Sequence, residues 1–289
     1  MRPVEQKTFT QAAQISLELR AELRDLARDI AHEAGALVKE IRRGEVDVAA
    51  TKSTDTDVVT VADTSAEKLV RELLAQHRPD DGILGEEDGL AAGTSGLTWV
   101  VDPIDGTVNY LHDISEYSVS VAVVVGPPNP GEWQVIAGCV YRPDDGESFE
   151  AAYELGAYRA GEKLEIAPPV ELGRALVATG FGYEAEMRAG QARVLQGVLP
   201  RIADIRRFGS AALELANVAA GKYDAFYETG LNPWDMAAGE LMITEAGGIV
   251  TGLEGKPASF ALTVAGNPET LEQLTKLLAS LDADQVVSD

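Results

Sequence analysis

The sequence predicts a mixed α/β fold, and three features of the chain carry that expectation. A helix-period apolar stripe opens it, β-type runs divided by Gly, Pro, Asn and Asp clusters fill its middle, and strand and helix patterns alternate from Ala175 onward. The 289 residues are 45% hydrophobic and 25% charged, enough apolar content for a sizeable core and too little bias for wholesale disorder.

The elements follow in order. Leu19, Leu23, Leu26, Ile30, Ala34, Leu37 and Ile41 recur at steps of four and three, which predicts a long helix behind a less regular stretch, Met1 to Ser16. Gly44 and the polar run Thr51 to Asp57 read as loop. Val58, Val59 and Val61 then lead to Asp63 or Thr64, either of which would cap a second helix carrying Leu69, Val70, Leu73 and Leu74 and stopping before Pro79. Strands are expected at Gly82 to Leu84, Thr98 to Val101, Ser118 to Val125, Gln134 to Tyr141 and Ser148 to Tyr153, their succession suggesting an antiparallel sheet. The alternating part reads as strand Ala175 to Thr179, helix Glu186 to Leu199, a strand near Ile205, helix Ser210 to Ala220, strand Tyr223 to Tyr227 and helix Trp234 to Ala246. Short strands at Gly248 to Val250 and Leu262 to Val264 and a helix from Pro268 to Leu281 complete it, with Asp282 to Asp289 as a solvated tail. The expected organisation is an extension over 1–18, a lobe over 19–168 with a mostly antiparallel sheet and two long helices, and an α/β lobe over 169–289, with Pro168-Pro169 as the seam.

Charge and composition exclude whole classes of function. With 24 Lys and Arg against 47 Asp and Glu, the formal charge is −23, which opposes binding to nucleic acid or to an anionic membrane surface. The single cysteine, Cys139, rules out a disulfide framework and a multi-thiolate zinc site, and fits a reducing cytoplasm. Neither a signal-peptide stretch nor a membrane-spanning run stands out, and the three histidines, His32, His77 and His112, have no metal-ligand spacing.

The densest chemical signal is Trp99-Val-Val-Asp-Pro-Ile-Asp-Gly-Thr107. An apolar strand runs straight into two carboxylates three residues apart and then into Gly-Thr. A turn there can aim Asp102, Asp105 and the Ile104 carbonyl at one point, the oxygen-rich set that a hard divalent cation prefers. Gly106 and Thr107 would open a short helix whose first amides are free to face an anion. Glu86 follows a short strand, and Asp235 falls in the first turn of a helix behind Asn232-Pro233-Trp234. Crowding Glu86, Asp102, Asp105 and Asp235 without a cation would cost roughly 1–4 kcal/mol per pair at about 4 Å. Taken singly, Asp-Gly turns, acidic loops and acids in a helix's first turn are ordinary; together they indicate a metal site.

The chain resembles the inositol monophosphatase family of lithium-sensitive, Mg²⁺-dependent polyol and sugar phosphatases. The resemblance lies in Trp99 to Asn109 and Trp234 to Gly248, in Arg207-Phe-Gly-Ser-Ala-Ala-Leu213, Tyr223-Asp-Ala-Phe-Tyr-Glu228 and Gly85-Glu-Glu87, and in Lys52 to Thr60. It covers about residues 24 to 280. It implies the layered αβαβα sandwich shared with fructose-1,6-bisphosphatase, a homodimer, and two or three Mg²⁺ ions per subunit. It further implies one ion on Glu86, Asp102 and the Ile104 carbonyl, a second on Asp102, Asp105 and Asp235, and a looser third near Glu86. Glu86 and Thr107 would activate water with Asp63 supporting the threonine, Gly106 and Thr107 would hold phosphate, and Glu228 would hydrogen-bond substrate hydroxyls with Ala211 as a neighbouring backbone contact. Inositol 1-phosphate is the first expected substrate, with histidinol phosphate as the runner-up and fructose 1,6-bisphosphate or NADP behind it. A regulatory binding protein on the same fold is the non-enzymatic alternative.

Overall fold

A computed structural model describes residues 12–43, 48–51 and 58–286. The first helix, α1 (Leu17–Arg42), begins where the Ser16 side chain accepts the Leu19 amide; of the expected stripe it buries Leu23, Ile30 and Ala34 fully and Leu19, Leu26, Leu37 and Ile41 in part, with Ala27, Ala31 and Val38 completing the buried face. Ala12, within the predicted extension, is already buried, and its carbonyl accepts from the Arg20 guanidinium; residues 1–11 lie outside the described residues. Strands β1 (Val48–Thr51) and β2 (Val58–Thr60) pair antiparallel, while most of the predicted loop Thr51 to Asp57, with Lys52, lies outside the described residues.

Helix α2 (Val61–His77) starts earlier than expected. Its cap is Thr60, and Asp63 is instead the third helical residue, its carboxylate returning to accept the Thr60 amide at 2.8 Å. The first large sheet then forms from β3 (Gly82–Gly85), β4 (Gly89–Ala91), β5 (Leu97–Asp105), β6 (Ser118–Val125), β7 (Gln134–Arg142), β8 (Glu147–Ala152), β9 (Gly156–Arg159) and β10 (Glu162–Lys163). Its strand order is β10-β9-β8-β7-β6-β5-β3-β4, antiparallel throughout except for the parallel pair β3 and β5. The unpredicted strands β4, β9 and β10 are short, and β4 and β10 form the two edges, where a periodic apolar pattern is not needed.

The second sheet, β12-β11-β13-β15-β14, comprises β11 (Leu176–Thr179), β12 (Asp204–Arg206), β13 (Ala225–Glu228), β14 (Ile249–Thr251) and β15 (Thr263–Gly266). It is mixed: β11 runs parallel to β12 and β13, and β15 antiparallel to β13 and β14. Helices α4 (Ala185–Val198), α5 (Ala211–Ala219), α6 (Pro233–Glu245) and α7 (Pro268–Ala279) accompany it, after the single-turn α3 (Thr107–Leu111).

Burial explains the layering. Every residue of β6 is buried, so both faces of the first sheet are covered, and the run reads as continuous apolar sequence rather than as alternation. Trp99, Val101, Val121 and Val123 pack on one side with α1 and α2, whereas Val100, Ala122 and Val124 join α5 and α6 on the other. That second cluster continues through Phe226 and Ala265 into the second sheet, whose far face packs with Val194 of α4 and with Leu271, Leu274 and Leu278 of α7. The result is helix, sheet, helix, sheet, helix, as expected. The C-terminal stretch is a correction: Ala283 is fully buried and Val286 packs against Gly190 of α4, so the end of the described chain is docked rather than solvated, and 287–289 lie outside the described residues.

Candidate active site

The two acids of the central motif share one side of β5 because the strand carries a bulge. Side chains alternate along a strand, so residues three apart should face opposite ways. Asp102 pairs with Ser120 but Asp105 pairs with Ser118, so three steps on β5 answer two on β6, and the extra residue restores the common face. Pro103, which has no amide to donate, falls in the irregular stretch, and the Ile104 amide turns back to Asp102 Oδ1 at 3.0 Å.

Asp235 arrives from the first turn of α6, oriented by the Asn232 amide donating to its Oδ2 at 2.7 Å. One carboxylate oxygen from each of Asp102, Asp105 and Asp235 lies within 4.8 Å of the others. This cluster fits metal binding: three hard oxygen donors converge, two of them buried, and the Ile104 carbonyl lies between two of the contributing residues. Burial holds Asp102 well above the usual carboxylate range, with repulsion from Glu86, Asp105 and Asp235 adding to it. Asp235 is raised in the same way, by burial and then by Asp105 and Glu86. Asp105 is pushed up to about 6 by burial, restrained by the Ser210 hydroxyl and the Ala212 amide. A group of acids that resist ionisation in one place is what a cation relieves.

Glu86 follows β3, its amide extending the β3–β5 ladder to the Val101 carbonyl at 3.2 Å, and its side chain lines the same cleft. Thr107 opens α3 behind Gly106, whose φ of 95° is a left-handed conformation that favours glycine. The Thr107 hydroxyl donates toward Asp63 Oδ1 at 3.1 Å and the Ile104 carbonyl at 3.0 Å. Asp63 is itself buried and pushed up to about 6, chiefly by burial.

The cleft encloses about 310 Å³ and is also lined by Phe181, Tyr183, Met187, Arg207 and Phe260. Glu228, at the end of β13, presents its carboxylate there, raised well above normal by burial and by Glu214 and Asp235. Gly180 makes that possible, because a Cβ at this position would come 2.1 Å from Glu228 Oε1. All the predicted site residues except Asp63 line the cleft, and Asp63 reaches it through Thr107. Ala211 is there, but its amide is directed at Asp105 Oδ1 at 3.3 Å. His112 is exposed outside this cleft, Trp99 is core with its indole donating to Asp81, Trp234 packs against the core, and Cys139 is buried with its thiol pushed up to about 12.

Several contributors escape sequence reasoning. Ser210 caps α5 and also donates to Asp105 Oδ2, so the acid of one sheet anchors the helix between the sheets. Glu214, buried on α5 and pushed up to about 8 by burial, accepts the Phe208 amide at 2.6 Å and so fixes the loop before α5. Glu67, fully buried on α2, grips the turn behind Glu86. The usable signal was an acid on the buried stripe of an otherwise apolar helix face: Glu67 lies four residues from Asp63 and flanks Ala66 and Val70.

The comparisons agree with this geometry. A sequence model of the inositol monophosphatase family matches residues 19–283. Inositol-1-monophosphatase SuhB of Mycobacterium tuberculosis is 40% identical over 288 residues, covering 93% of this chain and 97% of that protein. The Nus factor SuhB of Escherichia coli is 37% identical over 255 residues, covering 86% and 93%. The crystal structure of the extragenic suppressor protein suhB from Bartonella henselae superposes with a TM-score of 0.81 at 34% identity, covering 88% of this chain and 97% of that one. By motif, architecture and similarity along nearly its whole described length, the chain belongs to the inositol monophosphatase family.

Proposed function

We propose that this protein hydrolyses a polyol phosphate monoester, inositol 1-phosphate in the first instance, using two or three Mg²⁺ ions held by the carboxylate cluster. The observation that carries the reading is the meeting of the Asp102, Asp105 and Asp235 oxygens beside a threonine hydroxyl tied to a buried aspartate. The ligands are Glu86, Asp102, Asp105, Asp235 and the Ile104 carbonyl. Cations bound there supply positive charge against the dianionic ester and acidify water.

The chain's own groups do the rest. Thr107 commits its proton toward Asp63 and Ile104, leaving oxygen lone pairs to orient the attacking water, with Glu86 on the other side as acceptor. The Gly106 and Thr107 amides, free of helical partners at the start of α3, face the phosphate oxygens. Glu228 accepts hydroxyls of the leaving alcohol, and Ala211 borders it. No covalent intermediate on the protein is needed. The same reading has 19–168 and 169–289 as lobes meeting at the cleft, and the protein acting as a cytoplasmic homodimer on a diffusible ester.

A second acid beside the leaving-group side, Glu214, favours histidinol phosphate as the alternative, since paired carboxylates suit an ammonium group. The test is phosphate release by the purified protein from inositol 1-phosphate, histidinol phosphate, fructose 1,6-bisphosphate and NADP, with Mg²⁺, lithium or EDTA. Lithium-sensitive, metal-dependent turnover strongest on inositol 1-phosphate supports the proposal. Preference for another ester replaces the substrate. Absence of turnover on all of them turns the reading toward a regulatory role, such as the name of the Escherichia coli relative carries.

A further inference from the structure

We propose that Glu67 is a positioning residue for the active site, fixing Glu86 through the turn that follows β3, and that α2 thereby registers Glu86 against Thr107. The inference rests on the reading of the carboxylate cluster as a divalent-cation site.

Glu67 is fully buried, and its carboxylate is partnered by two amides of the turn after β3 and by Arg71 on its own helix. Oε2 accepts the Glu87 amide at 2.8 Å and Oε1 accepts the Asp88 amide at 3.0 Å. Arg71, one helical turn on, pairs with Oε1 at 2.8 Å, lies 3.8 Å from the Asp88 carboxylate and donates to the Gly89 carbonyl at 2.7 Å. Glu86 is thus held on both sides: its amide is bonded to Val101, the residue before Asp102, and the next three residues are clamped by Glu67 and Arg71. Gly85 completes the arrangement, since a Cβ there would come 2.3 Å from the Glu67 carboxyl carbon. Only a residue without a side chain lets the carboxylate approach the turn this closely.

Glu67 does not line the cleft, so its effect passes through Glu86. Its place on α2 gives that effect a second meaning. Asp63 is four residues earlier on the same buried face, and it receives the Thr107 hydroxyl. At about 1.5 Å rise per residue, the Cα atoms of Asp63 and Glu67 stand roughly 6 Å apart along the helix axis. One helix therefore grips two loops from β3 and β5, and its pitch sets the spacing between Glu86 and Thr107. Partners of this kind, which orient a ligand without touching the ion, are worth about 10- to 100-fold in metal affinity when removed.

The experiment compares wild-type protein with Glu67→Gln and Gly85→Ala, measuring Mg²⁺ binding by calorimetry, melting in EDTA, and phosphate release as a function of Mg²⁺. Gln offers one acceptor and one donor to two amides, so one of them is opposed; Ala at 85 pushes on the carboxylate from the other side while leaving it in place. The expected result is Mg²⁺ affinity weaker by about 10-fold or more in both variants, with the rate at saturating Mg²⁺ falling less than the affinity. Hydrogen exchange on the wild-type protein adds a reading that needs no variant: the Glu87 and Asp88 amides should be protected in EDTA as well as in Mg²⁺. Wild-type affinity in folded variants, or unprotected amides, overturns the role of Glu67 alone. Wild-type protein that binds no Mg²⁺ overturns the metal reading and this inference with it. If Glu67→Gln fails to fold, Gly85→Ala and the exchange measurement decide.

Discussion

Replacing Asp235 with asparagine should make the metal-free protein more stable and the Mg²⁺-bound protein less so. Asp235 places a carboxylate oxygen within 4.8 Å of those of Asp102 and Asp105. Two full charges at that separation repel by about 3.5 kcal/mol at an effective dielectric of about 20 and by about 0.9 kcal/mol in bulk water. Burial and mutual repulsion already favour protonation of these carboxyls, so only part of that repulsion is present near neutral pH, and relief of about 1–3 kcal/mol in all is the working figure. Asparagine keeps the oxygen that accepts the Asn232 amide, so the start of α6 is preserved. The sign with pH follows from linkage. These carboxyls bind protons more tightly folded than unfolded, so the metal-free wild type loses stability as pH rises from about 4 through the raised values. The advantage of Asp235→Asn should therefore be small near pH 4 and larger near pH 8, where about 1–3 kcal/mol would correspond to a melting temperature about 2–5 °C higher in EDTA. Saturating Mg²⁺ should reverse the order, because the wild type gains binding free energy that the variant largely lacks. Scanning calorimetry across pH, with EDTA and with Mg²⁺, reads both effects. An equal or lower melting temperature for the variant in EDTA at about pH 8, or a difference independent of pH, refutes the reasoning.

Asp105→Asn should behave differently from its neighbour: activity should fall by orders of magnitude, but without the gain in stability. Asp105 accepts from Ser210 Oγ and from the Ala211 and Ala212 amides, and an amide nitrogen would oppose one of these donors; melting in EDTA checks the contrast. Gly180→Ala should displace Glu228 and raise KM for a polyol phosphate by about tenfold or more, while Mg²⁺ affinity from calorimetry stays near wild type. Glu240, pushed up to about 7 chiefly by burial, costs stability as pH climbs from about 4.5 through 7. Glu240→Gln, which keeps an acceptor for the Trp133 indole, should melt higher than wild type at about pH 8 and nearly equally at about pH 5.

Much of this was legible in the residues themselves, for reasons that differ from element to element. The stripe of α1 and the apolar run of β6 are strong local signals; the structure reproduces β6 residue for residue, while the buried face of α1 is rotated slightly, so that Ala27, Ala31 and Val38 are buried and Leu19, Leu26, Leu37 and Ile41 lie at its half-buried edges. Asp102 and Asp105 could be named because strand, acids and Gly-Thr are contiguous, and Asp235 because Pro233 marks the start of a helix. The bulge could not be read, since it depends on the register of β6 against β5 and Ser118 and Ser120 carry no mark of it. The cap of α2 was misplaced because Asp63 has the chemistry of a cap; only the backbone shows that Thr60 occupies that position and that Asp63 serves it from within the helix. Ser210 reaches Asp105 across 105 residues and Glu67 reaches Glu87 across 20, partners that no local pattern specifies, although the buried acid on α2 could itself be read from periodicity; Glu214 acts only six residues away, on the loop before its own helix.

The bulge in β5 gives the site an arithmetic of parity. Which way Asp105 faces depends on whether the count of residues between it and Asp102 is matched or exceeded by one on the opposing strand, and that count has no intermediate value. Substitutions along Pro103 and Ile104 can loosen or tighten the loop, but none of them turns Asp105 around. A one-residue slip of register, with Asp105 moving from opposite Ser118 to opposite Tyr117, would do so in a single step, sending the carboxylate to the other face of the sheet while leaving the composition untouched. A plain antiparallel ladder through the same residues and this acidic centre are therefore separated by one step of register rather than by a series of graded exchanges.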